Sequence, residues 1–518
     1  MAVPSTSSLG WKSFFRSQTW LFLFFWLLAM GLLRSSAFED PGSLWHIRVG
    51  DWIWDHGRIM QTDPFTFTFT GHPWRPQQWA GECLISLLHR LGGLDALLLA
   101  LAVLLAGFAS WLAGRFIRAG LHPVLAAALV LLGLIVASFH FYIRPHMATI
   151  VFMGWVMGRI VDFESGRITW KQWAWLVPVT IVWTNLHGGV LGGLATVGLA
   201  GAGWALLALM GRESPIKSWR ILIFLILILA ISGIALLVNP YGFGMLKIWN
   251  SIVDSKLLPQ IVTEHQPVRL SNLNGLAVVG FGAFYILMLA STLPKWPHVS
   301  WLIPLVWFGL SLHSIRHGPL FCVVALVSLA DMFPNTIWFR WLQKHGDTLV
   351  RREVTAGKNG EERTWLAWLI PAALTILCLW LQAVRLQVPL LGSGWVWLNP
   401  KEVPVDLLEP LQEYARNKPE GTPVFNDANF GGFLIYFTPK LRIFMDDRCE
   451  LYGDPWMADY MDMMKSHPER IEEHRAKYGF DRALVTVDSP MDRYLGRSLQ
   501  WREVARGQKA VLYAWKEN

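Results

Sequence analysis

Long apolar runs broken by short polar stretches fill the first three quarters of the chain, and short alternating runs fill the last quarter. A helix needs about 20 apolar residues to cross a bilayer. Runs that reach or approach this length lie at 19–37, 83–113, 121–139, 147–161, 173–186, 189–210, 221–238, 276–293, 299–313, 318–333 and 365–386. They predict an α-helical multi-pass membrane domain of about eleven spans over residues 1–386. Between the first two runs, residues 38–82 form a large loop, and the spacing of Leu44, Ile47, Trp52 and Trp54 against Arg48, Asp51 and Asp55 predicts an interfacial helix over 43–56. From 387 to 518 the pattern changes to short strands near 423–426, 441–445 and 483–487, helices near 405–416, 456–465 and 468–478, and a hairpin over 501–515. That alternation predicts a small C-terminal α/β domain with a partly parallel sheet.

Composition agrees with a membrane protein and excludes most soluble enzymes. Of 518 residues, 53% are hydrophobic and only 16% charged, where a soluble domain carries about a quarter. The net charge of +8 is uneven: residues 387–518 hold 17 Lys+Arg against 20 Asp+Glu, leaving the excess in the membrane part. Lys12, Arg16, Arg115, Arg118, Arg167, Lys171, Arg212, Lys217, Arg220 and the basic loop 334–364 all fall on one side when the spans alternate. Positive charge stays inside, so the N-terminus is expected in the cytoplasm of a bacterial cell and the tail beyond the inner membrane. The basic start and Ser35-Ser36-Ala37 also admit a cleavable leader, against which the long bulky Leu/Phe/Trp run favours a retained anchor. No basic stripe has nucleic-acid motif spacing, so membrane lipids, not nucleic acid, are the expected surroundings. Four scattered cysteines form no CxxC pair and support neither a zinc ribbon nor a disulfide framework.

On the outer side this topology gathers Glu39, Asp40, His46, Arg48, Glu82, His140, Arg144, His146, His187, Glu264, His265, His313, Arg316 and His317. Ionisable groups at a membrane face a cavity or a partner, so a polar chamber is expected there. Asp40, before the Pro41-Gly42 turn, lies just past the first span, where a carboxylate can take a proton from an attacking hydroxyl. Trp45, Trp74 and Trp79 are available to stack on sugar rings, and the remaining tryptophans read as interface anchors. Glycines around His187 allow close approach, whether for a hairpin cap or for substrate. Asn239-Pro240-Tyr241-Gly242 reads as a span-ending turn. In the tail, Asn426-Asp427 and Asp446-Asp447-Arg448-Glu450 follow strand ends, where α/β proteins often bind ligands, although a charged loop network explains them too.

Asp40 through Trp45-His46, Thr62-Asp63-Pro64-Phe65, Trp79 to Glu82, Arg144-Pro145, the stretch from Trp183 to Gly189, Asn239 to Gly242, Gly431-Gly432-Phe433 and Asp446-Asp447-Arg448 together resemble a bacterial branch of the GT-C superfamily of polytopic membrane glycosyltransferases. That superfamily includes protein O-mannosyltransferases, lipid A aminoarabinose transferases and oligosaccharyltransferase catalytic subunits. The resemblance implies a sugar moved from a polyprenyl-phosphate donor to an extracytoplasmic acceptor, with inversion. It places Asp40 at the family's catalytic acid after the first span, with Glu39 as the alternative. Many members also carry an acid in the second outer loop, but residues 139–146 here contain none. This departure counts against a two-acid or divalent-metal site, unless Glu82 or Glu264 substitutes. An anionic leaving phosphate needs cations, and Arg48, Arg144, Arg316 and His146 are the candidates; His46 and His187 complete the expected substrate contacts. The competing readings are a lipid or glycan transporter, which the absence of an internal repeat disfavours, and a catalytically inactive envelope scaffold.

Overall fold

The computed structural model describes residues 17–346, 349–350 and 367–516. Lys12, Arg16, Arg351, Arg352, Lys358 and Arg363, used above for orientation, lie outside the described residues. Helices stand at every predicted apolar run. They are α1 (Ser17–Ser36), α2 (Ser43–His56), α3 (Trp79–Arg118), α4 (Pro123–Ala137), α5 (Met147–Glu164), α6 (Leu176–Leu186), α7 (Val190–Leu209) and α8 (Trp219–Ala235). After the short helices α9 (Phe243–Val253) and α10 (Leu258–Ile261) come α11 (Leu273–Ala290), α12 (Val299–His313), α13 (Gly318–Met332), α14 (Ile337–His345) and α15 (Leu369–Ala383). Among the described residues, six helical segments, beginning at Ser17, Trp79, Pro123, Val190, Leu273 and Ile315, are long and apolar enough to cross a membrane.

The interfacial helix falls where the pattern put it, but its environment differs. Leu44 and Ile47 are buried, together with Trp45 and His46, while Trp54 is half-exposed. The run at 83–113 belongs to a 40-residue helix broken at Gly92-Gly93, where Gly93 takes φ +66°. The half before the break packs α2 across Gly50, whose missing side chain lets the Glu82 carbonyl approach. At the far end of the bundle Arg115 pairs with Asp162 at 2.8 Å and Arg167 with Asp331 at 2.8 Å, tying α3, α5 and α13.

The tail holds helices α16 (Leu408–Arg416), α17 (Gly431–Phe437), α18 (Cys449–Lys465), α19 (Ile471–Tyr478) and α20 (Pro490–Arg497). Its strands are β1 (Thr422–Asn426), β2 (Leu441–Ile443), β3 (Arg482–Thr486), β4 (Trp501–Arg506) and β5 (Ala510–Trp515). They form one sheet in the order β2-β1-β3-β5-β4, parallel from β2 to β3 and antiparallel beyond. The β2 edge is not left bare. Ile443 donates its N–H to the Phe65 carbonyl at 3.1 Å and accepts from the Phe67 N–H at 3.0 Å, so the first large loop adds a short parallel segment there. Phe67 and Phe69 then enter one tail core with Phe425, Phe444 and Phe480. On the sheet's other side, Leu434, Ile435 and Ile443 share a core with Phe38 and Trp45 of the membrane part.

Candidate active site

Asp40 is presented by a turn that its own side chain builds. Pro41 cannot continue a helix, and Asp40 Oδ1 accepts the Gly42 N–H at 2.9 Å. The loop between α4 and α5 is pinned beside this turn by the Ile143 N–H, which donates to the Ala37 carbonyl at 3.0 Å. Arg144 therefore reaches both sides: Nη1 donates to Asp40 Oδ2 at 3.1 Å and Nη2 to Asp447 Oδ2 at 3.0 Å. Trp45 Nε1 donates to Asp447 Oδ1 at 2.7 Å. Gly42 makes the approach possible, because a Cβ there would sit 2.5 Å from Arg144 Nη2 and 2.7 Å from Asp447 Oδ2. Of the three charged side chains Asp40 is the most buried, at 8% exposed.

Asp447 was legible only as a charge at a strand end; no sequence signal joined it to Asp40. It reaches the site on a rigid hook. Asn426 accepts the Phe444 N–H and donates to the Met445 carbonyl, fixing the chain as it leaves β2. Arg448 then pairs with Asp446 at 2.6 Å and Asp63 at 2.8 Å, all three fully buried. Its guanidinium lies 4.5 Å from the Trp74 ring and 5.8 Å from that of Trp45. Trp45 and Trp74, expected at a sugar, wall in this arginine instead, and Trp79 donates to Asn185 Oδ1 at 2.8 Å. Asn426 and Asp427, the other strand-end pair, serve the tail's own backbone and Thr486.

Beside the fork lies a histidine group. His187 Nδ1 accepts the Gly189 N–H at 3.0 Å, which places its ring proton on Nε2; Thr149 stands 2.8 Å from the same nitrogen. His146 Nε2 donates to the His140 carbonyl at 2.8 Å, leaving Nδ1 as an acceptor. His46 Nδ1 meets Glu82 Oε1 at 3.0 Å, both buried, with His46 Nε2 and Glu82 Oε2 unpartnered. Glu264 Oε1 lies 3.6 Å from His140 Nδ1, and Arg316 Nη1 donates to His265 Nε2 at 2.7 Å. Two candidates are not brought in. Glu39 accepts from Ser35 at 2.9 Å, turned back along α1, and Arg48 donates to the Tyr436 carbonyl at 2.7 Å, on the face of α2 that meets α17.

Burial decides the charge states. It raises Asp40 above the ordinary carboxylate value, against the pull of Arg144 and with help from Glu264. Asp447 is raised by burial too, against Arg144 and with repulsion from Asp40. Arg144 stays charged: burial works against it, and Asp40, Asp447 and Glu264 outweigh burial. His46, His146 and His187 are held well below their usual value, first by burial and then by neighbouring cations and histidines. His146, expected as a cation for phosphate, is therefore a neutral hydrogen-bonding group.

A divalent cation does not fit this donor set. The Arg144 guanidinium stands between the two aspartates, and no group of three or more metal-ligating side chains occurs among the described residues.

The sequence matches no family model and no curated protein. The fold is similar to that of the Archaeoglobus fulgidus oligosaccharyltransferase solved with a tethered acceptor peptide, with a TM-score of 0.55 at 13% identity over 91% of this chain and 69% of that one. ArnT from Cupriavidus metallidurans aligns over 95% of this chain and 97% of its own, with TM-scores of 0.45 (15% identity) bound to undecaprenyl phosphate and 0.43 (14% identity) in the apo state. The first similarity shows that this chain shares the fold of that archaeal oligosaccharyltransferase.

Proposed function

We propose that this chain is a glycosyltransferase of a bacterial inner membrane, moving a sugar from a polyprenyl-phosphate donor to an acceptor hydroxyl on the outer side. The observation that carries the reading is Asp40: a carboxylate at the end of the first long apolar helix, fixed by its own turn and by Arg144, beside neutral histidines and Arg316. Asp40 takes the proton as the acceptor oxygen attacks C1. The bond from C1 to the phosphate oxygen breaks on the opposite face, its electron pair leaves with the phosphate, and the anomeric centre inverts. One base suffices, because the leaving phosphate needs no protonation. Arg316 is the cation offered to that phosphate, since among the described residues it makes no ion pair within 4 Å. His187 Nε2 and His146 Nδ1 offer one donor and one acceptor to hydroxyls.

The test is label transfer in membranes that retain native acceptors, using a panel of labelled polyprenyl-phosphate sugars and comparing wild type with Asp40→Asn. Transfer by the wild type alone supports the reading. No transfer from any donor by an intact wild type turns the outer cluster over to transport or scaffolding.

A further inference from the structure

The second outer loop lacks the acid that a two-carboxylate centre needs, and neither Glu82 nor Glu264 pairs with Arg144. Asp447 does. We propose that Asp447, carried by the tail, is the second carboxylate of the Asp40 centre and a positioning residue for the base: it occupies one arm of the Arg144 fork, so that Arg144 orients Asp40 without closing on it. This rests on reading Asp40 as the base.

The geometry makes the division of labour specific. One guanidinium gives Nη1 to Asp40 and Nη2 to Asp447, where a lone carboxylate would take both arms. Asp447 cannot swing away, because Trp45 holds its other oxygen and the Arg448 anchor holds the chain one residue on. Asp40 Oδ1 accepts the Gly42 N–H, and the Ser43 N–H of the same turn also supports the carboxylate. The charge balance is as important. A single opposite charge lowers a carboxylate by about 1–3 pH units, which would make a poor base. Two acids on one cation leave a net negative pair whose repulsion is mutual. The groups that face Asp40 are Arg144 and Tyr142 from the α4–α5 loop, Glu264 from the segment after α10, and Asp447 from the tail. Among the described residues only Asp447 joins Asp40 in a direct ion pair with Arg144, at 3.0 Å.

The test uses full-length protein in lipid nanodiscs with Asp447→Asn and Asp447→Glu. An infrared pH titration follows protonated carboxyls, and the same titration of Asp40→Asn isolates the Asp40 signal. In Asp447→Asn the Asp40 midpoint is expected to fall by about one pH unit or more, and in Asp447→Glu to return towards wild type. In the transfer assay the acid limb of the rate moves to lower pH in Asp447→Asn, and the plateau rate falls about tenfold or more. An unchanged Asp40 midpoint in folded Asp447→Asn overturns the proposal. So does a folded Asp447→Glu whose Asp40 midpoint lies about a full pH unit below wild type, a comparison that holds even where Asp447→Asn folds poorly. A midpoint that shifts as expected in a protein whose wild type transfers no sugar keeps the coupling and removes the transferase reading instead.

Discussion

Asp40 is held by the Gly42 and Ser43 N–H groups of its own turn and by one arm of Arg144. Replacing it with asparagine keeps the shape and the turn and removes the proton acceptor. The expected outcome is a folded, inserted protein with transfer reduced about 10²–10⁴-fold, read by label transfer and by thermal unfolding in detergent. Because burial raises Asp40, its working form is lost as pH falls through a midpoint above the ordinary value of about 4, so the rate should drop on the acid side before the protein unfolds. Arg144→Lys tests the fork itself: one ammonium cannot serve two carboxylates in a plane, and the transfer rate should fall with little change in the amount of protein. Asp40 and Arg144 were legible as a lone acid and a lone cation beside span ends. Their union with Asp447 was not, because no local pattern joins residues 303 positions apart. The neutrality of His146 was equally hidden, since it follows from burial beside other cations.

The helices read well from the sequence because each has to satisfy its backbone internally and bury one stripe. The 3.6-residue pattern over 43–56 gave α2 its bounds, and the alternation near 423–426, 441–445 and 483–487 gave three strands. Among the helices the pattern missed is one made by packing rather than by periodicity. α17 is seven residues long and begins with Gly431-Gly432, where the pattern predicted no helix. Those glycines let the helix abut the membrane part: a Cβ on Gly432 would run into the Pro41 carbonyl, and one on Gly431 would meet Asp446 Cβ at 2.5 Å. Gly432→Ala should therefore push α17 off the turn that presents Asp40. The expected result is a loss of transfer larger than any change in thermal midpoint, with Gly421→Ala, at an open but left-handed turn (φ +86°), as a comparison that lowers stability only.

At the scale of the molecule, the tail is joined to the bundle through charge as well as apolar surface. Arg448 satisfies Asp446 from its own chain segment and Asp63 from the first large loop, with every partner fully buried. Burial works against its charge, yet the two carboxylates hold it well above the usual arginine range. Arg448→Met leaves two buried acids without a cation, a change that costs about 3–5 kcal/mol when one partner of a buried pair is removed. The expected reading is a large fall in the unfolding midpoint and faster proteolysis of the tail. The sequence showed that a small α/β unit follows the spans. It could not show that Phe65-Thr66-Phe67 of a distant loop completes that unit's edge, because strand pairing carries no label for its partner.

That borrowed edge also sets a clock. Thr68 and Phe444, bonded to each other at 2.6 Å, are 376 positions apart, and a ribosome adds about 5–20 residues each second. The first loop is thus made roughly 20–75 s before the strand it completes. Throughout that interval Phe67 and Phe69 have no tail core to enter, and Asp40 has no Asp447 across Arg144. A chain still being synthesised holds only half of its charge cluster, so the cluster is complete only once the tail has been made.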